Sequence, residues 1–365
     1  MKVARNKVKW AALMKTRLFL MCAVLFCGLA SHESAYASPC LKVTLTGTQS
    51  GPPIVAGLAG AGTLVEFGEE ANQCKSVRLQ FDAGRGTLIR LSQAGVLPQH
   101  LNAVFFTHMH SDHSEGFPEI AQLRWNFSSK GPKLDVICSN DAKAPLGYVM
   151  SCKKFAQHIG DPLIQSGEIA QRLSEDTSRL PGGPADIVNV INFEPKEEAQ
   201  NVWALGDVKV SAIRSTHIAG HASFRVDTPA GSVVIGGDAG NDTFAPPRKT
   251  STSDQVEKLA RGADILVHST MHPVMAPDKD SGMPAGTFYR QSLASDLGGL
   301  ALRSGVKHLM LTHLAPSLGA VFHGPYKVPG GPLTVEDYRK AVETSGFKGS
   351  IIVGADLSSL TIPVK

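Results

Sequence analysis

Residues 107–116 read Thr-His-Met-His-Ser-Asp-His-Ser-Glu-Gly, and no other stretch limits so tightly what the 365-residue chain can fold into. His108 and His110 are one residue apart, and Asp112 and His113 follow at once, directly after the apolar run 103–106. Four metal-capable side chains therefore crowd into six residues. A strand ending in a tight loop aims His108 and His110 at one point and Asp112 and His113 at a second point nearby, which is how a hydrolase holds a pair of zinc ions. A solvated loop with incidental histidines accounts poorly for such a density.

The candidate ligands outside this stretch also follow apolar runs. His217 comes after 208–215, Asp238 after 232–235 and His313 after 309–311. Ligands at strand ends converge on one edge of a sheet. Neutral imidazole suits zinc, and carboxylates trim the charge of the site and accept bridging geometry.

The central stretch resembles the His-x-His-x-Asp-His signature of the metallo-β-lactamase superfamily. Around it, Leu45-Thr-Gly-Thr48, the segment 81–90 (Phe-Asp-Ala-Gly-Arg-Gly-Thr-Leu-Ile-Arg), Ile235-Gly-Gly-Asp238 and Leu311-Thr-His313 resemble, in order, motifs of its ribonuclease Z and arylsulfatase-like branch. The resemblance covers most of residues 38–365 and implies an α/β (α+β) fold, the αββα sandwich of two mixed β-sheets flanked by helices. It also implies two Zn2+ ions, one held by His108, His110 and His217, the other by Asp112, His113 and His313, with Asp238 bridging both. His221 competes with His217, since Thr216-His-Ile-Ala-Gly-His221 offers both. His217 is preferred because its seven-residue distance to Phe224-Arg-Val226 matches that branch. Asp82 reads as a residue that orients a ligand histidine from behind. His100, His158, His308 and His323 have no motif around them.

The departure from the branch lies in its acid machinery. A His-Glu-Ala-Thr segment is replaced by His268-Ser-Thr-Met271, so Ser269 stands where glutamate is expected, and a His-Ser-Thr segment falls near Gln291 with no histidine. The nearest substitute is His272, a candidate general acid, which joins the ligand Asp112 as a catalytic candidate.

Lys2, Arg5, Lys7, Lys9, Lys15 and Arg17 precede the apolar stretch 18–30, and Ala35-Tyr-Ala37 offers small residues for cleavage. That is the pattern of a secretory signal peptide over residues 1–37, predicting a periplasmic or secreted protein with no membrane attachment after cleavage. The segment holds six of the 36 basic and one of the 32 acidic residues, so 30 remain against 31. A near-neutral remainder gives no support for a polynucleotide substrate and points to a small molecule. Oligomeric state stays open, a homodimer included. Four cysteines remain, Cys40, Cys74, Cys138 and Cys152. An even number in an exported chain favours disulfides, and of three connectivities Cys40 with Cys74 and Cys138 with Cys152 is preferred, because each pair flanks neighbouring elements.

Hydrophobic periodicity predicts strands over 41–45, 63–67, 77–81, 134–138, 208–215, 223–228, 232–235, 265–267, 309–311 and 350–353, and helices over 87–94, 117–127, 254–261 and 287–303. Residues 47–62 read as a loop shaping the pocket. Thr334 reads as an N-cap, with Asp337 three residues on. Residues 141–206, with helical stretches near 147–158 and 168–173, read as an insertion covering the active site, with a peripheral packing element as the alternative, within one domain over 38–365. These features predict an exported dinuclear zinc hydrolase that cleaves a small phosphodiester or sulfate ester through a metal-activated water. The alternatives are a lactonase or β-lactamase on the same metals, or a metal-binding protein without catalysis.

Overall fold

The structure, a computed structural model, describes residues 38–362. The signal-peptide reading lies outside these residues. Among the described residues no helix is long and apolar enough to cross a membrane.

Two seven-stranded sheets face each other. The first has the order β18 (Ser359–Ile362), β1 (Pro39–Gly47), β2 (Gly62–Glu69), β3 (Val77–Phe81), β4 (Ala103–Phe105), β5 (Leu134–Ser139) and β8 (Val188–Phe193). The second has the order β17 (Ser350–Val353), β14 (His308–Ala315), β13 (Ile265–Met271), β12 (Gly231–Ile235), β11 (Ala222–Thr228), β10 (Val208–Arg214) and β9 (Gln200–Leu205). In each sheet four strands run parallel and the rest pair antiparallel. Parallel strands must be covered on both faces, which explains the continuous apolar runs of β4 and β13.

Between the sheets lies a core of Leu41, Val43, Phe81, Phe105, Phe224, Val233 and their neighbours. Phe81 stacks on Phe105 at 4.6 Å, and Phe224 meets both rings edge-on or tilted, so large apolar surfaces are buried in preferred aromatic geometries. On the outer face of the first sheet lie α1 (Thr87–Gln93) and α3 (Phe117–Ser128), joined by α4 (Cys152–His158), α5 (Asp161–Gln165) and α6 (Glu168–Glu175). On the outer face of the second lie α7 (Asp254–Ala260), α9 (Ala294–Ser304) and α10 (Val335–Glu343). This is the expected αββα sandwich. Thr334 caps α10, with its hydroxyl and Asp337 bonding reciprocally. Disulfides join Cys40 to Cys74 and Cys138 to Cys152, the preferred pairing.

Two expectations need correction. Residues 141–206 are not one insertion over the active site: β8 and β9 lie within them as the edge strands of the two sheets, and α4 and α6 bury Cys152, Ala156 and Ile169 in the helical layer. Short apolar stretches among prolines and glycines hid both edge strands, β8 pairing with the distant β5 and β9 forming a local hairpin with β10. The second concerns 287–303, which is not a continuous helix. It breaks between α8 (Ala285–Phe288) and α9 because the backbone of 291–293 is claimed elsewhere: Ser292 O accepts from Met271 N, and Leu293 N donates to Ser251 Oγ.

Candidate metal centre

Strand ends deliver the site. β4 runs into Thr107 and His108; α2 (Ser111–Ser114), a single turn, then turns Asp112 and His113 inward. This turn lies against the 82–86 loop, where a Cβ on Gly84 would come within 2.1 Å of the Asp112 carbonyl oxygen. Glycine in the Phe-Asp-Ala-Gly segment is therefore a packing requirement. His217 follows β10, and its loop is tied to the Asp238 loop by Gly240 N–H donating to Thr216 O at 2.8 Å. His313 lies inside β14, which continues past the expected end at 311. There the ladder with β13 slips between Ser269 and Thr270, leaving His313 as the extra residue of a bulge with φ of 46°. A bulge re-aims a side chain, and here it turns the imidazole into the site.

The candidate ligands gather as two triads. In the first, His110 Nδ1 lies 2.9 Å from His108 Nε2 and 3.4 Å from His217 Nε2. In the second, His313 Nε2 lies 3.0 Å from Asp112 Oδ2 and 3.3 Å from His113 Nε2. Asp238 lies between them: Oδ2 is 3.7 Å from His217 Nε2, and Oδ1 is 3.5 Å from His113 Nε2. Asp238 Oδ1 is buried without a conventional hydrogen-bond partner.

Hydrogen bonding fixes the tautomers. Asp82, in the left-handed region at φ of 52°, accepts from Thr107 N through Oδ1, and through Oδ2 from both Thr107 Oγ1 and His113 Nδ1. Burial opposes a charge on His113, yet Asp238 and Asp82 raise its pKa well above the usual histidine range, so Nε2, 3.5 Å from Asp238 Oδ1, becomes a lone pair only when a cation takes the place of its proton. Because the Thr107 hydroxyl spends its proton on Asp82, His108 Nδ1 must donate to it at 3.0 Å, which leaves His108 Nε2 bare. One carboxylate therefore orients a histidine in each triad, as Asp82 was expected to do for one. His108, His110 and His217, and likewise Asp112, His113 and His313, each bring their donor atoms within 4.8 Å of one another, a spacing that a cation in place of the His113 proton would satisfy, so the donor set fits a pair of divalent ions.

His221 is not part of this set. Its Nε2 accepts the Asp238 backbone N–H at 3.2 Å, and its Nδ1 donates to Ser215 Oγ at 2.8 Å, continuing through Ser223 to Gly236 O. With both nitrogens occupied, His221 holds the Asp238 loop, and it is His217 that clusters with His108 and His110. Nor does His272 reach the site. Met271 lines the mouth, and alternation sends the next side chain the other way: His272 Nδ1 accepts from Val274 N, and its ring packs 5.0 Å from Tyr338 of α10. The general-acid assignment of His272 is corrected on that ground.

Burial, reinforced by neighbouring imidazoles, holds His108 well below the usual histidine range, and burial brings His217 to about 4. Both are therefore neutral, as ligands must be. For Asp112 and Asp238 burial opposes ionisation, yet the surrounding histidines win and keep both carboxylates ionised well below the ordinary range.

The centre opens through a cleft of about 560 Å³. Its walls come from Ser50 to Pro53, from Thr287 of α8, from Arg290 and Gln291 in the break between α8 and α9, and from His323, Pro325 and Tyr326. The last three lie in the hairpin of β15 (Phe322–His323) and β16 (Tyr326–Lys327). Residues 48–60 are shaped by the buried Asp356 carboxylate, which accepts from Thr48 N, Thr48 Oγ1, Ala59 N and Arg90 Nε. Of 141–206, residues 141, 142, 194 and 195 flank a second groove beside His217. Sequence reasoning missed Arg290, His323 and Asp356, and no local motif marks any of them.

A sequence profile of the family described as Anti-Pycsar protein Apyc1 matches residues 71–273, more than half of the chain. The chain belongs to this family. It is a member of the metallo-β-lactamase superfamily in its ribonuclease Z branch, a group of metal-dependent hydrolases. Ribonuclease Z of Mycobacterium bovis (strain BCG / Pasteur 1173P2) is 26% identical to this Apyc1-family chain over 326 residues, covering 88% of it and 98% of that protein. Among solved structures, the fold resembles the metallo-β-lactamase fold protein YhfI from Bacillus subtilis, with a TM-score of 0.55, 19% identity and coverage of 89% of this chain and 99% of that one. It also resembles a diphosphatase from the PhnP family, with a TM-score of 0.52, 14% identity and coverage of 89% and 98%.

Proposed function

We propose that this protein is an exported dinuclear zinc hydrolase that cleaves a small phosphodiester or sulfate ester. The observation that carries the reading is Asp238, whose two buried carboxylate oxygens each turn to a different triad. A carboxylate so placed has little purpose unless two ions share it. Zinc held by His108, His110 and His217, and by Asp112, His113 and His313, would lower the pKa of a water and polarise the ester oxygens. The chain's own contribution is to hold those ligands in the right tautomers and to keep the nucleophile's surroundings dry. The PhnP-family diphosphatase, by its name, acts on phosphate linkages, which supports phosphorus over carbon as the reacting centre.

The curated relative is named a ribonuclease, but a polynucleotide fits this chain less well. Residues 38–365 carry 30 basic against 31 acidic side chains, Ser269 and Gln291 replace that branch's acid pair, and an RNA-gripping surface is normally basic. Export with cleavage near Ala37 is supported by the leader's basic, apolar and small-residue order and by two disulfides, which persist in oxidising compartments. Intact mass of the protein recovered from native cell envelopes tests it, and a product retaining Met1 in the cytoplasm refutes it.

The zinc-loaded protein, assayed against aryl phosphodiesters, aryl sulfates, lactones and a chromogenic β-lactam, should turn over one of the first two classes best. A preference for lactones or the β-lactam refutes the substrate class; full zinc occupancy with no turnover of any probe leaves a metal-binding protein instead.

A further inference from the structure

We infer that Arg290 is the anion clamp of the cleft: it takes the charged non-bridging oxygens of the substrate and so selects tetrahedral anionic esters over neutral carbonyl esters. The inference deepens the proposed hydrolase reading and rests on it for the chemistry, though not for the binding.

Among the described residues lining the cleft, Arg290 is the one lysine or arginine. It lines this cleft together with His110, His217 and Asp238. Nε donates to Gly286 O of its own turn at 3.1 Å. Its terminal nitrogens make no ion pair with any described carboxylate, whereas Arg85, Arg90 and Arg303 all do. A half-buried guanidinium whose fork is left open beside a metal centre matches the bidentate geometry of phosphoryl or sulfuryl oxygens.

Its backbone is anchored to the metal loop. A Cβ on Gly240, two residues after Asp238, would lie 2.4 Å from the Arg290 carbonyl oxygen, and Ser292 Oγ donates to Ala239 O at 2.7 Å. The break between α8 and α9 thus fixes the Arg290 backbone against the loop that carries the bridging carboxylate. Preorganisation of this kind is what makes a charge effective against charge developing in a transition state. In hydrolysis the water oxygen bonds to phosphorus, the ester P–O bond breaks with its electron pair on the leaving oxygen, and the proton lost by water goes to solvent. Throughout, the non-bridging oxygens keep their negative charge, and Arg290 opposes it. A lactone or carboxylate ester offers no such charge in its ground state.

Two measurements on zinc-loaded protein test this. Inorganic phosphate should bind Arg290→Ala at least tenfold more weakly than the parent, with Arg290→Lys in between. For turnover, kcat/KM of Arg290→Ala should fall about 100-fold on methyl 4-nitrophenyl phosphate but less than threefold on 4-nitrophenyl acetate, with the loss on the diester divided between KM and kcat. Unchanged melting temperature and zinc content exclude a folding defect, since the side chain is only half-buried. Phosphate affinity within threefold of the parent, or equal losses on the charged and neutral esters, overturns the clamp. A parent protein that cleaves only the neutral ester would refute the phosphodiester reading, and the phosphate titration would still decide Arg290.

Discussion

Replacing Asp82 should damage both metal sites although it touches neither metal position. Asp82→Asn retains an oxygen to accept the Thr107 N–H but puts an NH2 group where Oδ2 accepted from Thr107 Oγ1 at 2.8 Å and from His113 Nδ1 at 2.9 Å. An NH2 group cannot accept. His113 then favours the tautomer with its proton on Nε2, the nitrogen aimed at the second triad, and the freed Thr107 hydroxyl stops holding His108. Loss of such a supporting partner typically weakens metal binding by about 10 to 100-fold, or about 1.4 to 2.7 kcal/mol per site. The direct contact to His113 puts the larger loss on the second site. Thr107→Val removes only the relay to His108, so it should weaken the first site and spare the second. Zinc competition with a chromogenic chelator reads both constants, and imidazole nitrogen NMR reads the tautomers. An Asp82→Asn protein whose first-site constant matches the parent's would refute the idea that one carboxylate serves both triads.

His217→Ala should lose zinc from the first site outright, whereas His221→Ala should keep both ions and lose stability instead, because it strips the acceptor from a buried backbone N–H. Equal zinc loss in the two variants, by elemental analysis, would contradict the geometry. His272→Ala should slow substrates with good and poor leaving groups alike by less than about threefold, since its ring faces α10; a selective loss on poor leaving groups would restore it as the acid. Metal-free protein should lose stability in mild acid. His268 is fully buried with its pKa lowered by burial to about 4. Its folded value lies below the unfolded 6.5, so its stabilisation is complete above pH 6.5 and is lost as pH falls through the window from about 6.5 to 4. That one group accounts for roughly 3 kcal/mol by pH 4, and urea midpoints should fall less steeply in His268→Gln; identical pH profiles would refute this assignment.

The sequence by itself determined the donor chemistry and a mixed α and β chain, while the αββα sandwich came from its resemblance to a known family. Six residues after an apolar run held four donors, and the apolar runs before His217, Asp238 and His313 are β-strands because local hydrophobic period is a local property of the chain. The cysteine pairing and the Thr334 cap were legible for the same reason. Tertiary structure alone decided the rest. The choice between His217 and His221 turned on which nitrogen the Asp238 backbone N–H occupied, 17 residues away. The exclusion of His272 turned on its ring packing against Tyr338 of α10. Arg290 and His323 entered the cleft through a helix break and a short hairpin set by contacts with Ser251, Met271 and Pro53. Such contacts join residues distant in the chain, and their energies depend on which surfaces meet, so no window of sequence contains them.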